Sequence, residues 1–135
     1  MAVLALTNAH ITINSVVLSD HANSVTVNYE VDSVEVTAFG DSGHKFVGGL
    51  QNNSCEIAMM QDFATSNVEA TIYPLVGTTT TIIIRPNGGT TSATNPSYTL
   101  TGTFLASHTP VAAGVGELAM TSLTFTGGTI AKATS

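Results

Sequence analysis

The sequence predicts a mainly β domain, a β-sandwich or partly open barrel of about seven strands with one short flanking helix. Apolar and polar residues alternate with period two in several runs, and Gly, Pro, Asn and Ser separate those runs. β-Branched residues, threonine above all, are abundant, which suits pleated and half-exposed surfaces. Only one segment carries a helix-start signal. With 135 residues the chain can build one core, so residues 1–135 are read as a single domain.

Residues 9–18 read as a first strand, broken at Asn14-Ser15 or continuing past it. Val25, Val27, Tyr29 and Val31 then alternate with Thr26, Asn28, Glu30 and Asp32, predicting a strand with one wet face. Alternation resumes at Val34, Val36 and Ala38 one residue out of phase, so a β-bulge or a turn falls at Asp32-Ser33. The bulge is preferred, because Asp-Ser lacks the glycine of a two-residue hairpin, and it would let Glu30, Asp32 and Glu35 share a face. Residues 40–49, punctuated by Gly40, Gly43, Gly48 and Gly49, read as a protruding loop. A strand follows over residues 53–60.

Ser66-Asn67-Val68-Glu69 matches a capping box and predicts a helix over residues 67–73, with Val68, Ile72 and Leu75 on its apolar side. The triple Ile82-Ile83-Ile84 predicts a central strand over 78–84, buried on both faces. Residues 98–106 alternate, with Tyr98, Leu100, Gly102 and Phe104 on one side, and 117–126 form a last strand ending at Gly127-Gly128. Residues 129–135 read as a flexible C-terminal tail, or one that pairs with a neighbouring subunit.

Charged residues make up only 9% of the chain, against about a quarter in an ordinary domain. A surface so poor in charge favours self-assembly over a free monomer. The net charge is −6. Residues 1–70 carry −7 and residues 71–135, holding Glu117, Arg85 and Lys132, carry +1. Three basic residues cannot track a phosphate backbone, which excludes tight nucleic-acid binding but not an acidic surface that DNA slides past. Cys55 is the single cysteine, so no intrachain disulfide forms, and it reads as a core filler. No apolar run reaches the roughly 18 residues of a membrane span. Met1-Ala2-Val3-Leu4 lacks the basic start of a signal peptide, which points to synthesis in the cytoplasm.

Catalytic patterns fail in context. Gly40-Asp41-Ser42-Gly43 beside His44 is similar to a serine-protease nucleophile loop, but the chain is too short for the two barrels that loop requires. His10, His21, His44 and His108 lack metal-ligand spacing, so neither metal nor cofactor is expected. Glu30, Asp32 and Glu35 read as a solvated acidic face and not a glycosidase pair, given few aromatics and no Trp. The triplet Asn52-Asn53-Ser54 is formally a glycosylation sequon and carries no weight without a signal peptide.

The segment from Val34 to Asp41, then Gly49-Leu50, the Glu56 strand and the short helix resemble the tail tube, or major tail, proteins of long-tailed bacteriophages with flexible tails. Thr109-Pro110-Val111, Gly116-Glu117-Leu118 and the run Leu123 to Gly128 resemble that family's closing strands. The resemblance implies a non-enzymatic structural subunit of the virion tail, assembled in the host cytoplasm into hexameric rings that stack into a DNA-conducting tube with other tail proteins. Sheets of neighbouring subunits would join edge to edge. It further implies that Glu30, Asp32 and Glu35 face an acidic lumen past which DNA moves without specific binding. The loop, with Gly40, Asp41, His44, Lys45 and Phe46, would then contact the next ring. The chain is shorter than many members and has no appended immunoglobulin-like domain. A head-decoration or head-tail joining protein and a small sugar-binding β-sandwich are the alternatives.

Overall fold

The computed structural model describes residues 3–135; the reading of Met1 and Ala2 lies outside the described residues. The strands are β1 (His10–Ile13), β2 (Val16–Val17), β3 (Ala22–Asn28), β4 (Val31–Glu35) and β5 (Phe46–Gln51), then β6 (Ser54–Met60), β7 (Thr79–Arg85), β8 (Ser97–Leu105), β9 (Met120–Thr126) and β10 (Thr129–Ala133). A helix α1 (Val68–Ile72) runs on into a 3-10 turn at Tyr73–Leu75. No described helix is long and apolar enough to cross a membrane.

Eight strands form one antiparallel sheet in the order β2-β1-β7-β8-β9-β6-β3, with β10 also on β8, while β4 and β5 form a separate ribbon. Asn14 and Ser15, at φ 51° and 68°, make the two-residue turn between β1 and β2. Ile11 and Ile13 of β1 share one core with Ile57 and Met59 of β6, far along the sheet order, so the sheet curls over on itself. Val68, Ile72 and Leu75 close the core, as the helix spacing predicted. This is the partly open barrel or sandwich that the alternation predicts.

The curl is organised at β8. Its first half pairs with β10 and its last two residues with β9. Between them Gly102, at φ 74°, sits in a bulge where the pairing with β7 shifts. The bulge reverses the faces: Leu100 is buried before it, Thr103 and Leu105 after it, and Phe104 turns outward, which corrects the single-face reading of 98–106.

The strand count of about seven rises to ten for three local reasons. The chain turns at Asn14-Ser15, residues 46–51 at the end of the predicted loop form β5, and residues 129–133 are not a loose tail but pair with β8. The alternation from Val25 onward leaves the main sheet after Asn28. Tyr29 and Val31, predicted on the buried side, are exposed as a result. No tight turn closes at Asp32-Ser33. A bulge does lie there, between the pairs Val31–Gln51 and Ser33–Gly48, but the extra residue is on β5.

Two further expectations are corrected. Ile82 and Ile84 are buried but Ile83 faces outward, because β7 has the sheet's pleat on a one-sided core. The capping box does not form. Ser66 takes φ 64°, Asn67 stands at the N-cap without a side-chain cap bond, and the Glu69 amide donates to the carbonyl of Asp62 instead.

Candidate assembly surfaces

β3, β6 and β9 pair in register, and their odd-numbered residues Val25, Val27, Cys55, Ile57, Leu123 and Phe125 face the core. Their even-numbered residues therefore build the other face in three cross-strand rows: Ser24, Ala58 and Ser122; Thr26, Glu56 and Thr124; Asn28, Ser54 and Thr126. The side chains of this face are small and mostly polar, and Glu56 is the one ionisable group in the three rows. At its margin β3 has a partner on one side only, so a seven-residue edge of backbone groups is open. β10 leaves a second such edge at the other layer.

The ribbon of β4 and β5 is an arm, exposed along both strands. Asn53 anchors its root. Although only 1% exposed, Asn53 accepts the Glu30 amide at Oδ1 and donates through Nδ2 to Gln51 Oε1 and to the Gly128 carbonyl. The Asn52 amide donates to the Glu30 carbonyl beside it. Sequence reading saw this asparagine only as part of a sequon; no periodicity marks a residue whose partners lie at the start of β4, the end of β5 and the β9–β10 corner.

Of the loop predicted over residues 40–49, the part from Phe46 onward is strand β5, and the connecting loop is residues 36–45. Its polar groups satisfy one another. The Asp41 carboxylate accepts the Ala38 amide and pairs with Lys45 Nζ at 2.9 Å. The Ala38 amide first and Lys45 second hold the Asp41 carboxyl below its ordinary range. Glu35 binds His44 and the Thr37 hydroxyl, which in turn accepts the Lys45 amide. Gly40 supplies the turn at φ 95°. His44 and Lys45 are thus committed within the arm, and Phe39, fully exposed, is the apolar group it presents at its tip, with Phe46 exposed lower down.

Because β4 keeps its pleat, Asp32 and Glu35 point to opposite faces of the arm. Asp32 and Val34 lie on the side of Gly49. Glu35 lies with Val31 and Ser33. This corrects the expectation that Glu30, Asp32 and Glu35 share one face, which required the extra residue to lie on β4.

The remaining polar clusters tie elements together. His108 Nε2 bonds Glu69 at 2.8 Å and its Nδ1 lies 3.2 Å from the Thr121 hydroxyl, joining α1 to β9. His21 bridges Asp20 and Asp62. No cluster of three metal-ligating side chains occurs among the described residues. Cys55 is buried, and burial pushes its thiol up to about 12, so it is inert at neutral pH.

Solved structures share this architecture. One is a chain of the PVC sheath/tube terminator of an extracellular contractile injection system in its extended state, with TM-score 0.73 and 12% identity over 98% of this chain and 97% of that one. A second belongs to the anti-feeding prophage cap, the AFP tube terminating cap, with TM-score 0.72 and 12% identity over 100% and 93% of the two chains. A third belongs to the virion of a native gene transfer agent particle, with TM-score 0.70 and 13% identity over 93% and 95%. This chain has a tail-protein fold. No protein-family model and no curated protein matches the sequence. Among the described residues, the polar sheet face, the open strand edges and the arm are the surfaces that no other element of this chain covers.

Proposed function

We propose that this chain is a structural, non-enzymatic subunit of a virion tail tube, which assembles with copies of itself into hexameric rings stacked around a lumen that conducts DNA. The likeness in fold runs the length of both chains, 98% of this one and 97% of the sheath/tube terminator chain, and that observation carries the reading. The polar face fits a lumen lining. It offers hydroxyls and amides, no cation, and one carboxylate per subunit in Glu56, with Glu30 at its margin, so phosphates are repelled and find no site to bind. The open edge of β3 lets that face continue into the next subunit, and the arm, with Gly40, Asp41, His44, Lys45 and Phe46, reaches toward another ring.

Electron microscopy of the purified chain at high concentration, alone and with its tail partners, tests this. Tubes or stacked rings are expected; monodisperse monomer under every condition would sink it. A second reading, a tube terminator, is favoured by the likeness to two terminating structures at TM-scores of 0.73 and 0.72. Single rings that cap preformed tubes and stop their growth would select it.

A further inference from the structure

The chain has one arginine, Arg85, at the end of β7. It pairs in register with His10 on the outward face of the layer formed by β1, β7, β8 and β10. Its Nε is enclosed yet has no hydrogen-bond acceptor. None of the five ion pairs among the described residues includes it. Burial first and the guanidinium second hold His10 below its ordinary range, and no described acid pairs with Arg85. Nor does the surrounding sequence supply an acid: between residues 71 and 135 the only one is Glu117, whose carboxylate accepts the Gly114 amide.

An enclosed guanidinium N–H without an acceptor is costly, and a carboxylate is the partner its planar fork fits. The chain has a surplus of such groups. Asp20, Glu35, Asp41, Asp62 and Glu69 are each bound to a histidine or lysine of the same chain. Glu30, Asp32 and Glu56 have no side-chain partner among the described residues. Glu56 lies on the β3–β6 layer, at the opposite end of the sheet order from Arg85, and Glu30 and Asp32 lie at the root of the separate arm. An interface that brings two different patches of identical chains together is heterologous, the kind that generates rings and stacks. Of the three, Asp32 alone stands within a strand of the exposed arm, near its root and on the same side as the exposed Val34.

We propose that Arg85 is the seat for a carboxylate of a second copy of this chain, and that Asp32 of the arm supplies it. The contact rests on the tail-tube reading and names the residues through which copies recognise one another. Arg85→Glu is expected to lower the assembled fraction at least tenfold, measured by sedimentation and electron microscopy. Asp32→Arg is expected to do the same, and the two together to restore assembly. Circular dichroism and thermal melting of the monomers check folding, and Arg85→Gln replaces the reversal if Arg85→Glu does not fold. Assembly of Arg85→Glu or Arg85→Gln at the wild-type level overturns the contact while leaving the tail reading intact. Unfolding of both variants makes Arg85 a residue of the fold and also overturns it. Rescue of Arg85→Glu by Glu30→Arg or Glu56→Arg, and not by Asp32→Arg, overturns the choice of Asp32. A wild-type chain that never assembles overturns contact and reading together.

Discussion

Asn53 holds the arm to the body with one side chain, since the Glu30 amide, Gln51 and Gly128 converge on its amide group. Asn53→Ala leaves those groups short of partners in an enclosed site, and a loss of about 1–3 kcal/mol in urea unfolding is expected. Faster hydrogen exchange at Glu30 and in β4 should accompany it; unchanged exchange there would show that the arm is held by its strand pairing alone. His21 gives a second residue-scale prediction. Its hydrogen bond to Asp62, and then that to Asp20, raise its pKa above the ordinary 6.5. The folded state therefore binds the proton more tightly, and the stabilisation is complete below about 6.5 and lost as pH rises through the higher folded value. Asp62 is held below 3.8, by the Ala64 amide first and His21 second, so its contribution fades in acid. Between those limits the pair is intact. His10 shifts the other way, through burial and then Arg85, so only a difference measurement isolates His21. The gap in melting temperature between wild type and His21→Ala should be largest near pH 5 and shrink toward pH 8; a gap independent of pH would mean that His21 acts by packing.

At the scale of elements, the corner between β9 and β10 shows why adjacent glycines are not equivalent. Gly127 and Gly128 both have φ 79°. A Cβ on Gly127 meets nothing within 4 Å, whereas one on Gly128 would collide with the Thr101 carbonyl oxygen, where β10 crosses onto β8. Gly127→Ala is expected to cost only the left-handed backbone penalty, about 1–2 kcal/mol. Gly128→Ala must also push β8 and β10 apart, and its unfolding midpoint should fall clearly below that of Gly127→Ala; equal midpoints would refute the close approach. The same corner marks what periodicity reveals. β6 could be read in the sequence because it has one face on the core, so alternation follows directly from burial, whereas β7 showed only as a β-branched run whose outward Ile83 hid its single buried face. β10 could not, since only Ile130 packs against the core and strand pairing leaves no trace in a run such as Thr-Ile-Ala-Lys-Ala. The capping box does not form because the Asp62 carbonyl, seven residues back, takes the Glu69 amide that the Ser66 side chain would have used.

For the whole molecule, the division between body and arm decides what the sequence could and could not reveal about the surfaces. The alternation of Val25, Val27, Tyr29 and Val31 correctly indicates extended chain, but a period of two is the same in a sheet that closes a core and in a ribbon standing in solvent. Where the chain passes from one to the other is set by Asn52 and Asn53 gripping Glu30, contacts more than twenty residues away. The acids were visible as a group, yet their facing depended on which strand holds the bulge. The arm adds no residue to the core, and its end pairs Glu35 with Phe46, a spacing that two residues can bridge. Replacing residues 36–45 by Asn-Gly, which favours the tight turn of a two-residue hairpin, should therefore leave the body as stable as before. A monomer melting within about 4 °C of wild type is expected, the shift that roughly 1 kcal/mol produces in a domain of this size. Assembly should fail, because Phe39, Lys45 and the rest of the tip are gone while the open edge of β3 remains. Tubes of normal length from the shortened chain would show that the tip of the arm, residues 36–45, is no part of the contact between rings.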